Sequence, residues 1–254
     1  MTKRVFVLDM DDTLIDNVHD YADPILDSVR EIISALGSRA PHVTHIVTRE
    51  QEIDLRRRSE INPTTGKPFG YSMDRFPGTL VETYREFCLQ ANVEPSPEIE
   101  SRLFRTGLGA FDEGLYRKNI KPGALEIVDF INHQHDVCML LTAGDPRVQR
   151  KKIKALGQAS DRFWGGIKIV DRKTPQVFQE MVNEFVGYEF YSVGNNYESD
   201  IMPALEVGFR GVLIFVETWE VIGRRQEILA KVDHSRCDVL DNISEITKYY
   251  GDSR

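Results

Sequence analysis

The sequence predicts an α/β protein: a doubly wound parallel sheet interrupted by a helical insertion. Three observations predict it. Short apolar runs recur without polar alternation, as in strands buried on both faces. From about residue 119 onward, helical patterns with start and stop signals lie between those runs. The interval 17–118 carries helical stripes and no obvious strand.

The first run, 5–8, leads straight into Asp9-Met10-Asp11-Asp12-Thr13. Within the insertion, Ile25, Leu26, Val29, Ile32, Ile33 and Leu36 recur at helical spacing, and Gly37 closes the stripe. Leu80, Val81, Tyr84, Phe87 and Cys88 form a second stripe, and Ile99, Leu103 and Phe104 a third. A polar loop with glycines and prolines, 62–72, separates the first stripe from the others. Pro122-Gly123 precedes a helix over 124–132, and a strand follows at 137–141. Asp145-Pro146 starts the next helix and Gly157 stops it. The run 167–170 is a weaker strand signal. A helix then opens at Thr174-Pro175 and extends to about 185, and strands follow at 190–193 and 212–216.

The chain of 254 residues has room for one large domain or two modest ones. Its 41% hydrophobic content supports a sizeable core and argues against disorder. A net charge of −8 argues against a general nucleic-acid or acidic-membrane surface, so neither partner is expected. Cys88, Cys138 and Cys237 are widely spaced and odd in number, which fits neither a disulfide framework nor a zinc site. Read as reduced thiols, they predict a cytoplasmic protein. The N-terminal segment turns acidic after a few apolar residues, unlike a secretory leader. No run approaches the roughly 18 apolar residues of a membrane span.

The candidate chemistry lies at strand ends, where open α/β sheets place reactive groups. Asp9 falls at the tip of the first strand and Asp11 two residues later. One such carboxylate can act as nucleophile and its neighbour as acid or base. Packed carboxylates repel, and a divalent cation would compensate them. The alternative is that these acids cap the next helix. The strand 137–141 ends in Thr142 and Ala143, and the following helix points its N-terminus the same way, which favours an anion. The alternative for Thr142 is a helix cap. Lys173 precedes a helix start, where the dipole repels a cation, so it calls for an anion nearby. A solvated surface lysine is the alternative, with Arg172 as competitor for the role. His42, His45, His133 and His135 sit in polar stretches and read as surface residues, and His19 follows the first acids closely. Arg56-Arg57-Arg58 reads as a solvated helix face. The segment 66–76 mixes glycine, aromatics and cations, as a ligand-contacting loop or a plain surface would.

The spacing Asp9-x-Asp11-x-Thr13 after an apolar strand resembles the first motif of the haloacid dehalogenase-like (HAD) hydrolase superfamily. Thr142 at its strand end resembles the second motif, and Lys173 the third. Gly194-Asn195, four residues, and Asp200 resemble the fourth, with Asn195 in place of the first acid. The motifs occur in the family's order over residues 1–16 and about 119–216.

The resemblance implies a Rossmann-like core of residues 1–16 and 119–254 with a helical cap at 17–118. It implies a Mg²⁺-dependent phosphomonoester hydrolase of the phosphatase type. Asp9 would attack phosphorus and form an aspartyl-phosphate; Asp11 would protonate the leaving oxygen and then activate water. Asp9, Met10, Asp11, Thr142, Ala143 and Lys173 would surround the phosphate. Asp9, the Asp11 carbonyl, Asn195 and Asp200 would hold the metal, with Asp200 carrying the acid's share and Glu198 in reserve. The cap would act as a lid over a small soluble phosphorylated substrate, met by Arg58, Lys67, Tyr71 and Arg75. Asp11 favours phosphoryl chemistry over carbon–halogen cleavage. A phosphotransferase or mutase with the same intermediate, or a weakly active phosphate-binding protein, is the alternative.

Overall fold

A computed structural model describes residues 3–218 and 221–251; the ends of the expected core at 1–2 and 252–254, and residues 219–220 within it, lie outside that range. The chain divides into two compact units, one running up to Val18 and resuming at Tyr116, the other covering His19–Leu115.

The first unit is built on a parallel sheet. Its strands are β1 (Arg4–Leu8), β2 (Val137–Ala143), β3 (Ile167–Val170), β4 (Glu189–Gly194), β5 (Arg210–Ile214) and β6 (Cys237–Leu240). They lie in the order β3-β2-β1-β4-β5-β6. The chain winds outward from β1 to β3, then returns to the other side of β1 and continues through β4 to β6. The two directions part between β1 and β4. That reversal opens a crevice at their carboxyl ends, the position where such sheets bind ligands.

The second unit contains α1 (Ala22–Leu36), α2 (Val43–Arg57), α3 (Arg75–Gln90) and α4 (Pro97–Leu108). Among the described residues it has no strand, only an isolated bridge between Ile61 and Pro68 in the polar loop. Val29, Ile32 and Leu36 of α1, Ile46 and Ile53 of α2, and Leu80, Tyr84, Phe87 and Cys88 of α3 are buried. Leu26, Ile33 and Phe104 belong to the predicted stripes but are exposed on the rims of their helices. A long bidentate pair, Arg49 with Glu86 at 2.8 and 2.9 Å, ties α2 to α3.

The short α5 (Glu113–Lys118) carries the chain back. Then follow α6 (Ala124–His133), α7 (Pro146–Ala155), α8 (Pro175–Glu184), α9 (Met202–Leu205), α10 (Arg225–Leu229) and α11 (Ile246–Tyr250). One face of the sheet buries Val5, Val7, Met139, Leu141 and Phe190 against Phe178 and Met181 of α8, Ala204 of α9, and Phe209. On the other face Phe6 stacks on Tyr191 at 4.9 Å between ring centroids, and Tyr250 of α11 meets both rings edge-on at 5.7 and 5.2 Å. Burial on both faces is what makes the central strands read as unbroken apolar runs. The three cysteines are free and buried. No helix among the described residues is long and apolar enough to cross a membrane.

Two strands differ from the sequence reading. β5 begins at Arg210, two residues before the apolar run, because its register is set by pairing with β4, Tyr191 opposite Arg210. β6 has only four residues, two of them half-buried, and pairs on one side alone. An edge strand of that length leaves almost no pattern.

Phe178 is fully buried and meets Phe209 edge-on at 5.2 Å. Phe178→Ala should lower the free energy of unfolding by about 3–5 kcal/mol, read as a fall in the urea midpoint. A loss under about 1 kcal/mol would mean that this face of the sheet is not the closed core described.

Candidate active site

β1 delivers Asp9 to the carboxyl edge of the sheet. Its amide donates to the Val193 carbonyl of β4 at 2.8 Å, which fixes the residue at the crevice between the two strands. The Asp9 side chain is buried. One carboxylate oxygen accepts from the Thr13 hydroxyl at 3.2 Å, the other from the Lys173 ammonium.

Beyond Asp9 the chain reverses tightly, with the Leu14 and Ile15 amides both donating to the Met10 carbonyl at 3.0 Å. Asp12 sits in this reversal with φ of +58°, a left-handed conformation that aspartate tolerates better than most residues. Its carboxylate accepts from the Asn17 and Val18 amides at 2.8 and 2.9 Å. Of the three acids in the opening cluster, Asp12 is thus occupied in holding the turn. Burial raises its pKa, against the lowering effect of those two amides.

Lys173 lies between β3 and α8 and is buried. Its ammonium donates to Asp200 Oδ1 at 2.7 Å as well as to Asp9. Burial alone would lower its pKa, but Asp200 and Asp9 outweigh burial and raise it. The competitor Arg172 is exposed. The cap of α8 is the Thr174 side chain, which accepts from the Val177 amide at 3.4 Å.

Asp200 follows β4 in a π-helical turn, Tyr197–Ile201. Asn196 caps that turn, accepting from the Glu198 and Ser199 amides at 3.0 and 3.1 Å. The second Asp200 carboxylate oxygen accepts from the Asn196 amide at 2.9 Å, and its carbonyl accepts from the Ser192 hydroxyl at 2.7 Å. Gly194 makes room for it: a Cβ at that position would stand 2.4 Å from the Asp200 Cβ. Asn195 is buried beside this turn, whereas Glu198 is exposed.

Thr142 is fully buried near the end of β2, and its hydroxyl has no hydrogen-bond partner among the described residues. It does not cap α7. Asp145 does, accepting from the Arg147 amide at 2.9 Å.

Asp11 is held from α7. One carboxylate oxygen accepts from Gln149 Nε2 at 3.0 Å and the other from the Lys152 ammonium. Gln149 Nε2 also donates to the Ala143 carbonyl at 3.0 Å. The Lys121 ammonium donates to the Asp12 carbonyl, and burial lowers its pKa against the pull of Asp12, Asp16 and Asp9. The sequence reading names none of Gln149, Lys152 and Lys121.

These charges leave Asp9 pushed up to about 7. Burial raises it most, Lys173 opposes, and Asp200 and Asp11 add to the rise.

The residues expected at the substrate lie in the helical unit. Arg58 and Arg75 stand over the Tyr71 ring, at 5.4 and 5.7 Å from its centroid. Arg75 is buried, bonded to Asp54 at 3.0 Å and to the Gly70 carbonyl. Its guanidinium therefore packs the helical unit instead of reaching a ligand. Lys67 and Tyr71 are exposed, as are His19, His42, His45, His133 and His135.

The sequence matches no protein-family model and no curated protein. Solved structures do match. A haloacid dehalogenase-like family hydrolase from Xanthomonas campestris is 21% identical, covers 98% of this chain and 95% of its own, and superposes with a TM-score of 0.68. A putative HAD-hydrolase, YfnB, from Bacillus subtilis, bound to magnesium, is 12% identical over 98% of this chain and 99% of its own, with a TM-score of 0.54. A HAD phosphatase from Thermococcus onnurineus is 16% identical over 99% and 98%, with a TM-score of 0.56. Dehalogenases are among the other matches. The chain has the haloacid dehalogenase-like fold.

In this HAD-like fold, Asp9, Lys173 and Asp200 meet through direct contacts made by loops after three different strands. Among the described residues no three His, Cys, Asp or Glu side chains form a metal-binding group. The hard oxygen donors that Lys173 joins are the Asp9 and Asp200 carboxylates.

Two outcomes are expected. Asp9 titrates near 7 when folded against an ordinary 3.8, so the folded state holds its proton across that interval. The stability this confers is complete below about pH 4 and is lost as pH rises towards 7. In urea titrations with chelator, Asp9→Asn should therefore gain on the unmutated chain steadily from pH 4 to 7; a constant difference would contradict the buried, under-compensated carboxylate. Gly194→Ala should displace Asp200 and cost about 1–3 kcal/mol of stability. A crystal structure of that variant with the Lys173–Asp200 contact intact would contradict this.

Proposed function

We propose that this protein is a phosphomonoester hydrolase that works through an aspartyl-phosphate. The observation that carries the proposal is the meeting of a buried carboxylate with a buried ammonium at the sheet's switch point, one strand away from a buried hydroxyl without a partner. A buried hydroxyl is normally satisfied, and an incoming anion would satisfy this one.

Asp9 supplies the nucleophile. Its carboxylate oxygen forms a bond to phosphorus as the ester oxygen departs. Asp11 gives that oxygen a proton, so the alcohol leaves neutral. Asp11 then removes a proton from water, which attacks phosphorus and releases inorganic phosphate and the free Asp9 carboxylate. Lys173 holds Asp9 in line and balances charge on the transferring group, with Thr142 and the backbone of Met10, Asp11 and Ala143 around its oxygens. Positioning and fixed charge of this kind dominate phosphoryl transfer.

The residues present fit a hard divalent cation, because two carboxylates, Asp9 and Asp200, are drawn together at the strand ends. Mg²⁺ would be held by Asp9, the Asp11 carbonyl, Asn195 and Asp200, and would neutralise negative charge there. The magnesium-bound and phosphatase neighbours lend support at the level of the fold. The helical unit enters this proposal as the cap, with Arg58, Lys67 and Tyr71 as its candidates for contact with the rest of a small phosphorylated substrate.

With p-nitrophenyl phosphate and Mg²⁺, Asp9→Asn should reduce turnover to background. Asp11→Asn should reduce it by about 10²–10⁴-fold. Unchanged rates in both variants would sink the mechanism. Phosphate release without an added acceptor distinguishes the hydrolase from a phosphotransferase or mutase. Binding of phosphate esters with no release over hours would indicate a binding protein, and chloride release from a 2-chloro acid would indicate a dehalogenase.

A further inference from the structure

The α7 helix carries two polar side chains where its core-facing stripe calls for apolar ones. Its buried residues are Val148, Gln149, Lys152 and Ala155. Lys152 is 2% exposed and Gln149 3%. A buried ammonium paired with a carboxylate seldom stabilises a fold beyond what a leucine or methionine would in the same space. Both side chains converge on Asp11, one donor to each carboxylate oxygen. The Lys152 ammonium is steadied against the Tyr116 ring, 5.2 Å from its centroid. Gln149 spends its second amide hydrogen on the Ala143 carbonyl, one residue beyond Thr142.

We propose that Gln149 and Lys152 are positioning residues for Asp11, a clamp that fixes the orientation of the acid–base carboxylate and ties it to the end of β2 that carries Thr142. The proposal rests on the hydrolase mechanism above. A carboxylate at the mouth of a turn would otherwise rotate about its side-chain bonds, and a proton is passed efficiently only along a preset direction. With both oxygens engaged from the α7 side, the carboxylate plane is set. Each oxygen keeps a lone-pair direction for the leaving oxygen or for water. The clamp also links the acid–base group to the Thr142 end of β2 through Gln149.

The test compares Lys152→Met and Gln149→Leu on two esters, p-nitrophenyl phosphate and benzyl phosphate. The readout is kcat/KM, which reports the step that expels the alcohol. A nitrophenolate leaves with little help; benzyl alcohol needs the proton. Each substitution should lower kcat/KM for benzyl phosphate at least about tenfold more than for p-nitrophenyl phosphate. In an Asp11→Asn background the same substitutions should change neither value by more than about twofold, since they act through Asp11. Lys152→Arg should restore part of the loss. Equal losses on both esters, or undiminished losses in the Asp11→Asn background, would overturn the proposal. Crystal structures of the two variants give a readout free of activity: the Asp11 carboxylate should be turned from its place, and an unmoved one overturns the clamp. If the unmutated protein releases phosphate from neither ester, the hydrolase mechanism has failed, and those structures alone decide the clamp. Should Lys152→Met fail to fold, Gln149→Leu carries the comparison.

Discussion

The Lys173 ammonium is the contact on which the rest of the site depends. It binds Asp9 and Asp200 together and so joins the loops after β1, β3 and β4. Remove that cation and two buried carboxylates face each other without compensation, a loss of about 3–5 kcal/mol for a buried pair. Every neighbouring feature serves to bring the three groups within reach. The Asp9 amide is pinned to β4, Gly194 clears space for Asp200, and the π-helical turn returns Asp200 towards Lys173. The sheet order places β1 and β4 side by side, so the two acids come from adjacent strand ends.

Even with Lys173 in place, the cluster is not neutral. Asp9 remains high because burial and two further acids act against one ammonium. A protein selected only for stability would not keep such a group. Asn195 follows Gly194 at the end of β4, and an acid in its place would bring a fourth carboxylate towards the cluster. An amide there supplies an oxygen without another charge.

Much of this was legible in the sequence, for a physical reason. Central strands of a parallel sheet are buried on both faces, so the runs around Phe6, Met139 and Val193 stand out as unbroken apolar stretches. Asp9, Thr142 and Lys173 are legible because each breaks such a run, or a helix start, with the wrong kind of side chain, whereas Asp200 is legible only through its resemblance to the fourth HAD motif. The β6 strand was not legible, because an edge strand of four residues needs no continuous apolar pattern. Arg75 misled for the opposite reason. A cation in a glycine-bearing loop segment looks available for a ligand, and only packing reveals that Asp54 and the Gly70 carbonyl take it up.

Gln149 and Lys152 could have been found by the same reasoning applied more strictly. Val148, Lys152 and Ala155 lie on one face at helical spacing, and that face is turned to the core. A lysine in that register conflicts with burial unless an anion awaits it. Asp11, the acid left over once Asp9 had Lys173 and Asp12 had its turn, is that anion. Conflicts between a local pattern and the global fold tend to mark sites kept for function. Here two such conflicts, one before α8 and one within α7, each resolve onto an aspartate of the same short stretch. Two separate ammonium groups, each buried for the sake of one of the first-strand acids, point to Asp9 and Asp11 as distinct working parts, each held by its own partner.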